Sequence, residues 1–444
     1  MSVAPGLKVW HVANGFGYAG TERAAETWCH GLKARGWSVR AYALGQDGPR
    51  SRSLGAGGVP ARVLGADPAG WGRELRRQGC DVLHVHRHGE RDERFDALTA
   101  AARRHGSAIV ETNVFGERRR LFPASAPDVM GFMSVFCLWR YVGWPVSLAA
   151  GTLESHAVLY NPLDRGAFIA PAVQGRLRRQ ARRDWGLAHG DLVVGRLGRP
   201  DPNKWPVWLM GALASARRCL PNLKIVMMGA PPAQVEVARR LGLQGSVRFL
   251  PPSAEQAQVD RYYAAIDVLA HGSRVGESFG STLAEAAAAG RPVVVDSTPW
   301  ADNAQVEVVE HGVTGLVAGR PGAFVQALLR LQREPGLRDH LGREARRRAR
   351  RFAAAPLLDH LEGVYARALR HRRAPTAELR RLAARPLRPG RAMVEGFGAD
   401  YPSRLARREA PRPGLDRAWA LHSTLRLYWR GWLSRGLKFW RWGR

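Results

Sequence analysis

Short apolar runs recur along most of this sequence, and helical spacing fills the stretches between them. Leu7–Ala13, Ser38–Leu44, Val82–Val85 and Ala108–Glu111 are such runs in the first part; Leu192–Arg196, Leu223–Met228, Ser246–Leu250, Val268–Ala270 and Pro292–Asp296 are their counterparts further on. Glu22–Arg35, Trp208–Arg218 and Thr282–Ala289 have helical periodicity. A strand that is apolar at every position, rather than at alternate ones, is buried on both faces, which predicts parallel sheets covered by helices on each side. The series restarts near Asp191, after the polar, Arg-rich segment 175–185. Two doubly wound α/β domains are the simplest account, 1–165 and 166–350, with a crossover helix over 351–370 and a separate tail over 371–444. The weakly charged stretch Val129–Leu153 is broken by Arg140, Pro145 and three glycines, so it reads as buried strand and loop rather than a membrane span.

Charge sets the tail apart. The chain carries 68 Lys and Arg, only five of them lysine, against 38 Asp and Glu, a net +30. Residues 331–444 hold 28 basic and 10 acidic residues, more than half of that excess. Residues 371–415 are Arg/Pro-rich with little periodicity; in 416–444, Trp419, Trp429, Trp432, Trp440 and Trp442 alternate with arginines. Four scattered cysteines (Cys29, Cys80, Cys137, Cys219) form no C-x-x-C pair, which fits a reducing compartment rather than a zinc site or disulfide framework. No cationic start with an apolar run marks a signal peptide, so the expected location is cytoplasmic.

Two segments carry chemistry. The first, His271 to Asp296 (HGSRVGESFGSTLAEAAAAGRPVVVD), reads as strand end, glycine loop, helix and strand. Ser281 or Thr282 is placed to cap the helix, and the amides of Phe279, Gly280 and Ser281 to form an anion site reinforced by the helix dipole. Glu277 before the helix and Glu285 inside it are acceptors for hydroxyls, although either alone suits a dipole-complementing or solvated glutamate equally well. The second, Leu192 to Pro206 (LVVGRLGRPDPNKWP), presents Arg199 and Lys204 on a tight Gly/Pro loop, two cations able to clamp a diphosphate as it leaves.

Together these segments resemble the retaining glycosyltransferases of family 4. Glu277 and Glu285 carry that family's E-x7-E signature, and Gly198, Arg199 and Lys204 its G-R-x-x-x-x-K pattern. Asn14–Arg23, Asp81–His86, Asn161–Asp164, Tyr263–Asp267 and His311–Val317 are further matches, so the resemblance spans about residues 5–370. It implies the GT-B fold, two Rossmann-like domains facing a cleft. It implies that Arg199 and Lys204 bind the donor diphosphate and that Glu277 bonds the transferred sugar, with Ser278, Phe279, Gly280 and Ser281 nearby. Glu285 would hold the ribose, and the base would pack near Phe249–Pro252. Gly17, Gly20 and Thr21 would lie beside phosphates and acceptor. The resemblance also implies retention at the anomeric carbon without metal or other cofactor, with UDP- or GDP-sugar as donor. This chain shows no D-x-D or His/Cys cluster by sequence. One departure concerns a histidine common in the family's cleft. Segment 107–116 has none, and Glu111 and Asn113 stand near its place; His86, at another strand end, is the alternative.

The expected function is transfer of a sugar to a glycan or lipid-linked acceptor in polysaccharide, lipopolysaccharide or glycolipid synthesis. The tail favours an anionic membrane surface, with Trp and Leu in the headgroup region and Arg on lipid charge, over a helix packed on the enzyme or a nucleic-acid contact. The alternatives are a nucleotide-sugar epimerase or hydrolase of the same fold, and a polyanion-binding protein acting through the tail.

Overall fold

A computed structural model describes residues 6–370 apart from 66, 118–122, 143–153, 254 and 299–300. The Arg/Pro stretch 371–415 and the Trp/Arg-rich segment 416–444 lie outside the described residues. Among the described residues no helix is long and apolar enough to cross a membrane. The chain divides into two compact units: the first runs to Pro162 and resumes at Phe352, and the second is Leu163–Arg351.

The strands of the first unit are β1 (Lys8–Gly15), β2 (Ser38–Gln46), β3 (Ala61–Val63), β4 (Val82–Arg87), β5 (Ala108–Asn113), β6 (Val129–Phe132) and β7 (His156–Val158). Its helices are α1 (Gly20–Ala34), α2 (Pro49–Ala56), α3 (Pro68–Gln78), α4 (Glu93–Arg104) and α5 (Val135–Val142). The second unit holds α6 (Pro171–Asp184), β8 (Leu192–Leu197), α7 (Val207–Cys219), β9 (Leu223–Met228), α8 (Ala233–Arg240), β10 (Val247–Leu250), α9 (Gln256–Ala265) and β11 (Val268–His271). It continues through α10 (Ser281–Ala288), β12 (Val293–Asp296), α11 (Gln305–Val308), β13 (Gly315–Ala318), α12 (Pro321–Arg333) and α13 (Pro335–Ala349), after which α14 (Ala354–Leu369) returns to the first unit.

Every strand pair is parallel, in the orders β3-β2-β1-β4-β5-β6-β7 and β10-β9-β8-β11-β12-β13. Two parallel sheets with alternating helices are the doubly wound α/β arrangement expected from the sequence. In the first sheet Val9, Ala41, Val82 and Val110 pack under Trp28 and Leu32 of α1 and Leu358, Leu361 and Tyr365 of α14. Trp10, Val12, Leu83 and Val85 face Trp71, Leu75, Phe95 and Leu98 on the other side. The two-residue period of strands thus sends His11, His84 and His86 to the α1/α14 face. Gly31 lets α14 approach, because a Cβ there would lie 2.4 Å from the Leu358 Cδ1. Trp37 Nε1 donates to Glu362 Oε1 (3.0 Å) and Arg35 to Glu362 Oε2 (2.8 Å), fastening α14 further.

Three local expectations change. Segment 175–185, read as a polar boundary, lies almost wholly within α6, whose Arg178 and Arg182 reach Asp267 at 2.5 and 2.6 Å. Residues from Val129 on contain, besides β6, the helix α5, whose sequence VFCLWRYV is apolar nearly all round and so hides its period. The N-cap of α10 is Gly280 at φ +90°, not Ser281 or Thr282, and its conformation is one that glycine supplies without a Cβ penalty.

Candidate functional site

Both sheets reverse strand order beside their first strand, at β1/β4 and β8/β11. Open α/β sheets bind ligands outside the carboxyl ends of their strands at such points.

In the second unit, β8 delivers Arg196 and the loop bearing Arg199 and Lys204, while β11 delivers His271 and the loop bearing Glu277. The two loops are joined: the Arg274 N–H donates to Asn203 O (2.9 Å), and Lys204 Nζ to Gly276 O (2.9 Å). Lys204 Nζ also lies 3.1 Å from Glu277 Oε1, and His271 Nε2 reaches the same oxygen at 3.1 Å. Burial opposes ionisation of Glu277, but Lys204 and the His271 N–H outweigh it and hold the carboxyl far below the usual carboxylate range. The result is an anionic acceptor and a cation paired at a strand end.

Other expected residues fall around this pair. Ser278 and Phe279 are buried between Glu277 and α10. Glu285 is also buried, not solvated, and its Oε2 accepts from Tyr263 Oη at 2.9 Å. The Gly198 N–H donates to Met228 O (3.1 Å). Arg199 is not brought to Glu277; its half-exposed guanidinium pairs with Asp201 at 2.8 Å. Of the two sequence-nominated cations, only Lys204 joins the cluster.

Sequence reasoning missed Arg196, His271 and Asp296. Arg196 is 1% exposed and stacks over Trp205, its guanidinium 4.9 Å from the ring centroid. Asp296, at the end of β12, is buried, with Oδ1 lacking a hydrogen-bond partner among the described residues. Burial pushes its pKa up to about 7, against the pull of the Ser273 N–H and Arg196, with Glu277 adding to the rise. The folded state therefore keeps a proton that the unfolded chain has lost, so stability falls as pH rises from about 4 to about 7 and is flat beyond. Between those limits Asp296 costs about 4 kcal/mol. Asp296→Asn should lack this slope and exceed the wild type in urea-melt stability at about pH 8 but not at about pH 4.

In the first unit a cavity of about 200 Å³ opens at the ends of β1 and β4, lined among others by Asn14, Thr21, Glu22, His86, Asp92 and Arg94. Gly17 lies in the loop after β1 and Gly20 opens α1. Behind the cavity runs a buried chain: His86 Nε2 to His11 Nδ1 (3.0 Å), His11 Nε2 to Tyr365 Oη (3.0 Å), Tyr365 Oη to His84 Nδ1 (2.8 Å), and His84 Nε2 to Thr112 Oγ1 (2.8 Å). Burial holds all three imidazoles neutral, with the pKa of His86 lowered to about 3. Folding thus assembles a histidine cluster that the sequence did not reveal, with nitrogens within 4.8 Å of one another. It suits a hydrogen-bonded network better than a metal: both nitrogens of His11 and His84 are engaged, and the His84 and His86 rings stack at 4.3 Å instead of converging. Glu111 is buried 4.0 Å from Arg87. Asn113 donates through Nδ2 to Glu117 O (2.8 Å), while its Oδ1 is buried without a partner among the described residues.

Comparison with known proteins bears on the second unit most directly. Residues 191–334 match the family described as Glycosyl transferases group 1. Over 207 residues the chain is 37% identical to the D-inositol 3-phosphate glycosyltransferase of Actinosynnema mirum, covering 43% of this chain and 48% of that protein. The corresponding protein of Salinispora arenicola is 36% identical over 219 residues, 46% of this chain and 48% of its own length. The chain thus spans about half the length of the curated relatives it matches. Among solved structures, Anabaena HepE in complex with UDP-glucose superposes with a TM-score of 0.65 at 19% identity, over 80% of this chain and 98% of that one. WaaG, a glycosyltransferase involved in lipopolysaccharide biosynthesis, does so with a TM-score of 0.58 at 16% identity, over 80% and 98%. The chain thus has the GT-B fold, and its residues 191–334 are similar to the family described as Glycosyl transferases group 1.

Proposed function

We propose that the chain is a retaining, metal-independent glycosyltransferase that passes a sugar from a nucleoside-diphosphate sugar to a hydroxyl of a glycan, lipid-linked or other polyhydroxylated acceptor. The observation that carries this reading is the Lys204–Glu277–His271 cluster at the β8/β11 strand ends. Lys204 supplies positive charge for the diphosphate as the bond to the anomeric carbon breaks, and Glu277 accepts hydroxyls of the sugar being moved. Arg199 reaches the diphosphate by leaving Asp201, a half-exposed pair worth little to stability. Glu285 takes the ribose. In the retaining step the acceptor oxygen attacks on the face the diphosphate leaves, and its proton passes to the departing phosphate oxygen. A UDP-sugar donor is supported by HepE, solved with UDP and UDP-glucose. Relatives named for inositol 3-phosphate make a cyclitol phosphate an acceptor to try beside glycans. The reading places the protein in the cytoplasm, with residues 416–444 on an anionic membrane face.

Thermal unfolding with UDP, GDP, ADP, TDP or CMP tests this. A nucleotide at about 100 times its Kd adds about 2.7 kcal/mol of stability. One of the five should raise the Tm of the wild type, and Lys204→Ala should abolish that rise while keeping its far-UV spectrum. If none of them shifts the wild type, the donor site is wrongly assigned.

A further inference from the structure

The Arg196 guanidinium is walled in by acceptors. It donates to Leu197 O, to Lys204 O (2.5 Å), to Gly272 O (3.2 Å) and, through Nη1, to His271 Nδ1 (3.2 Å). A guanidinium has only donors, so the Nδ1 facing it must be a lone pair. His271 is neutral, because burial and Arg196 lower its pKa to about 4. A neutral imidazole with Nδ1 as acceptor carries its proton on Nε2, and Nε2 points at Glu277 Oε1, 3.1 Å away. That oxygen also receives Lys204 Nζ. Among the described residues no donor reaches Oε2. The Glu277 main chain is held separately: its N–H donates to Gln305 Oε1 (3.1 Å) and its carbonyl accepts from Ala304 N (2.8 Å).

We propose that His271, locked in one tautomer by Arg196, is a positioning residue for Glu277: it engages Oε1 permanently so that Oε2 is presented to the hydroxyls of a bound sugar. Only the identity of that ligand rests on the function proposed above. Without the His271 N–H, Lys204 is the sole partner of the carboxylate and draws both oxygens toward itself. The sugar then loses its acceptor. Because backbone bonds fix residue 277 independently, the loop survives the loss of the imidazole.

Two measurements on the full chain test this. Nitrogen-15 spectra of histidine-labelled protein should show His271 neutral and protonated on Nε2 from about pH 6 to about pH 8, well above the pKa of its buried ring and through the ordinary histidine range. A proton on Nδ1, or titration within that range, overturns the proposal whether or not any nucleotide binds. Calorimetric binding of UDP and UDP-glucose then reads the consequence. His271→Leu should weaken UDP-glucose at least tenfold and UDP by less than threefold, and His271→Gln, whose amide offers an acceptor and a donor at similar spacing, should recover most of the loss. Equal weakening of both ligands, or no recovery with glutamine, shows a merely structural histidine and overturns the proposal. A wild type that binds neither UDP nor UDP-glucose but keeps the Nε2 proton counts against the UDP-sugar assignment and leaves the tautomer established.

Discussion

Gly276→Ala should unfold the turn that carries Glu277 and abolish any stabilisation by nucleotide. Gly276 sits at φ +68°, and a Cβ built there falls 1.6 Å from Asp302 O and 2.6 Å from Thr298 Oγ1. The obstacle is main chain, itself tied down by the bond from Asp302 N to Val275 O (3.2 Å), so no rotamer relieves it. Left-handed strain of about 1–2 kcal/mol adds to an overpacking cost of about 1–3 kcal/mol. A loss of about 3–4 kcal/mol in urea unfolding is expected, together with loss of any nucleotide-induced Tm shift. Gly312→Ala is the control: its φ is +74° with nothing within 4 Å of the added carbon, so it should show only the backbone strain and keep the shift. Equal behaviour of the two variants would remove the steric argument.

Asp267→Ala should destabilise the second unit by about 3–5 kcal/mol, as expected when one partner of a buried ion pair is removed. Its Oδ1 holds Arg178 at 2.5 Å; its Oδ2 holds Arg182 at 2.6 Å and accepts from the Val193 N–H at 2.8 Å. One carboxylate thereby ties α6 to β8. Burial would raise its pKa, but the two arginines more than offset this and leave it below the ordinary value. Its contribution is present above the ordinary aspartate pKa and lost as pH falls through the folded value. The variant should therefore show its deficit in urea melts at neutral pH, and a smaller deficit near pH ~3. A neutral-pH loss under about 1 kcal/mol would mean that Arg178 and Arg182 find other partners.

Much of the fold was legible because strands buried on both faces are largely apolar, as Val293–Val295 is. Among the strands that escaped notice, β3 and β7 have three residues each, too few for a run to stand out. Helix α6 was obscured by its arginines, of which Arg178 and Arg182 pair with Asp267, more than eighty positions away. In the site, Lys204 and Glu277 announce themselves through local spacing. Arg196 and His271 do not, since each is a lone polar residue at a strand end and they meet 75 positions apart in sequence. His11 and Tyr365 are separated by 354 positions, and no sequence periodicity relates a strand near one terminus to a helix so far along the chain.

The return of α14 to the first unit has a consequence for how the protein is made. A ribosome delivers β1 to β7 first, then the entire second unit, and only afterwards the helix that covers one face of the first sheet. Throughout that interval the nascent sheet lacks Leu358, Leu361 and Tyr365, and with them the hydroxyl that His11 and His84 share. The earliest strands to emerge are thus among the last to be sealed, and the nascent chain carries an open apolar face for as long as translation of the second unit takes.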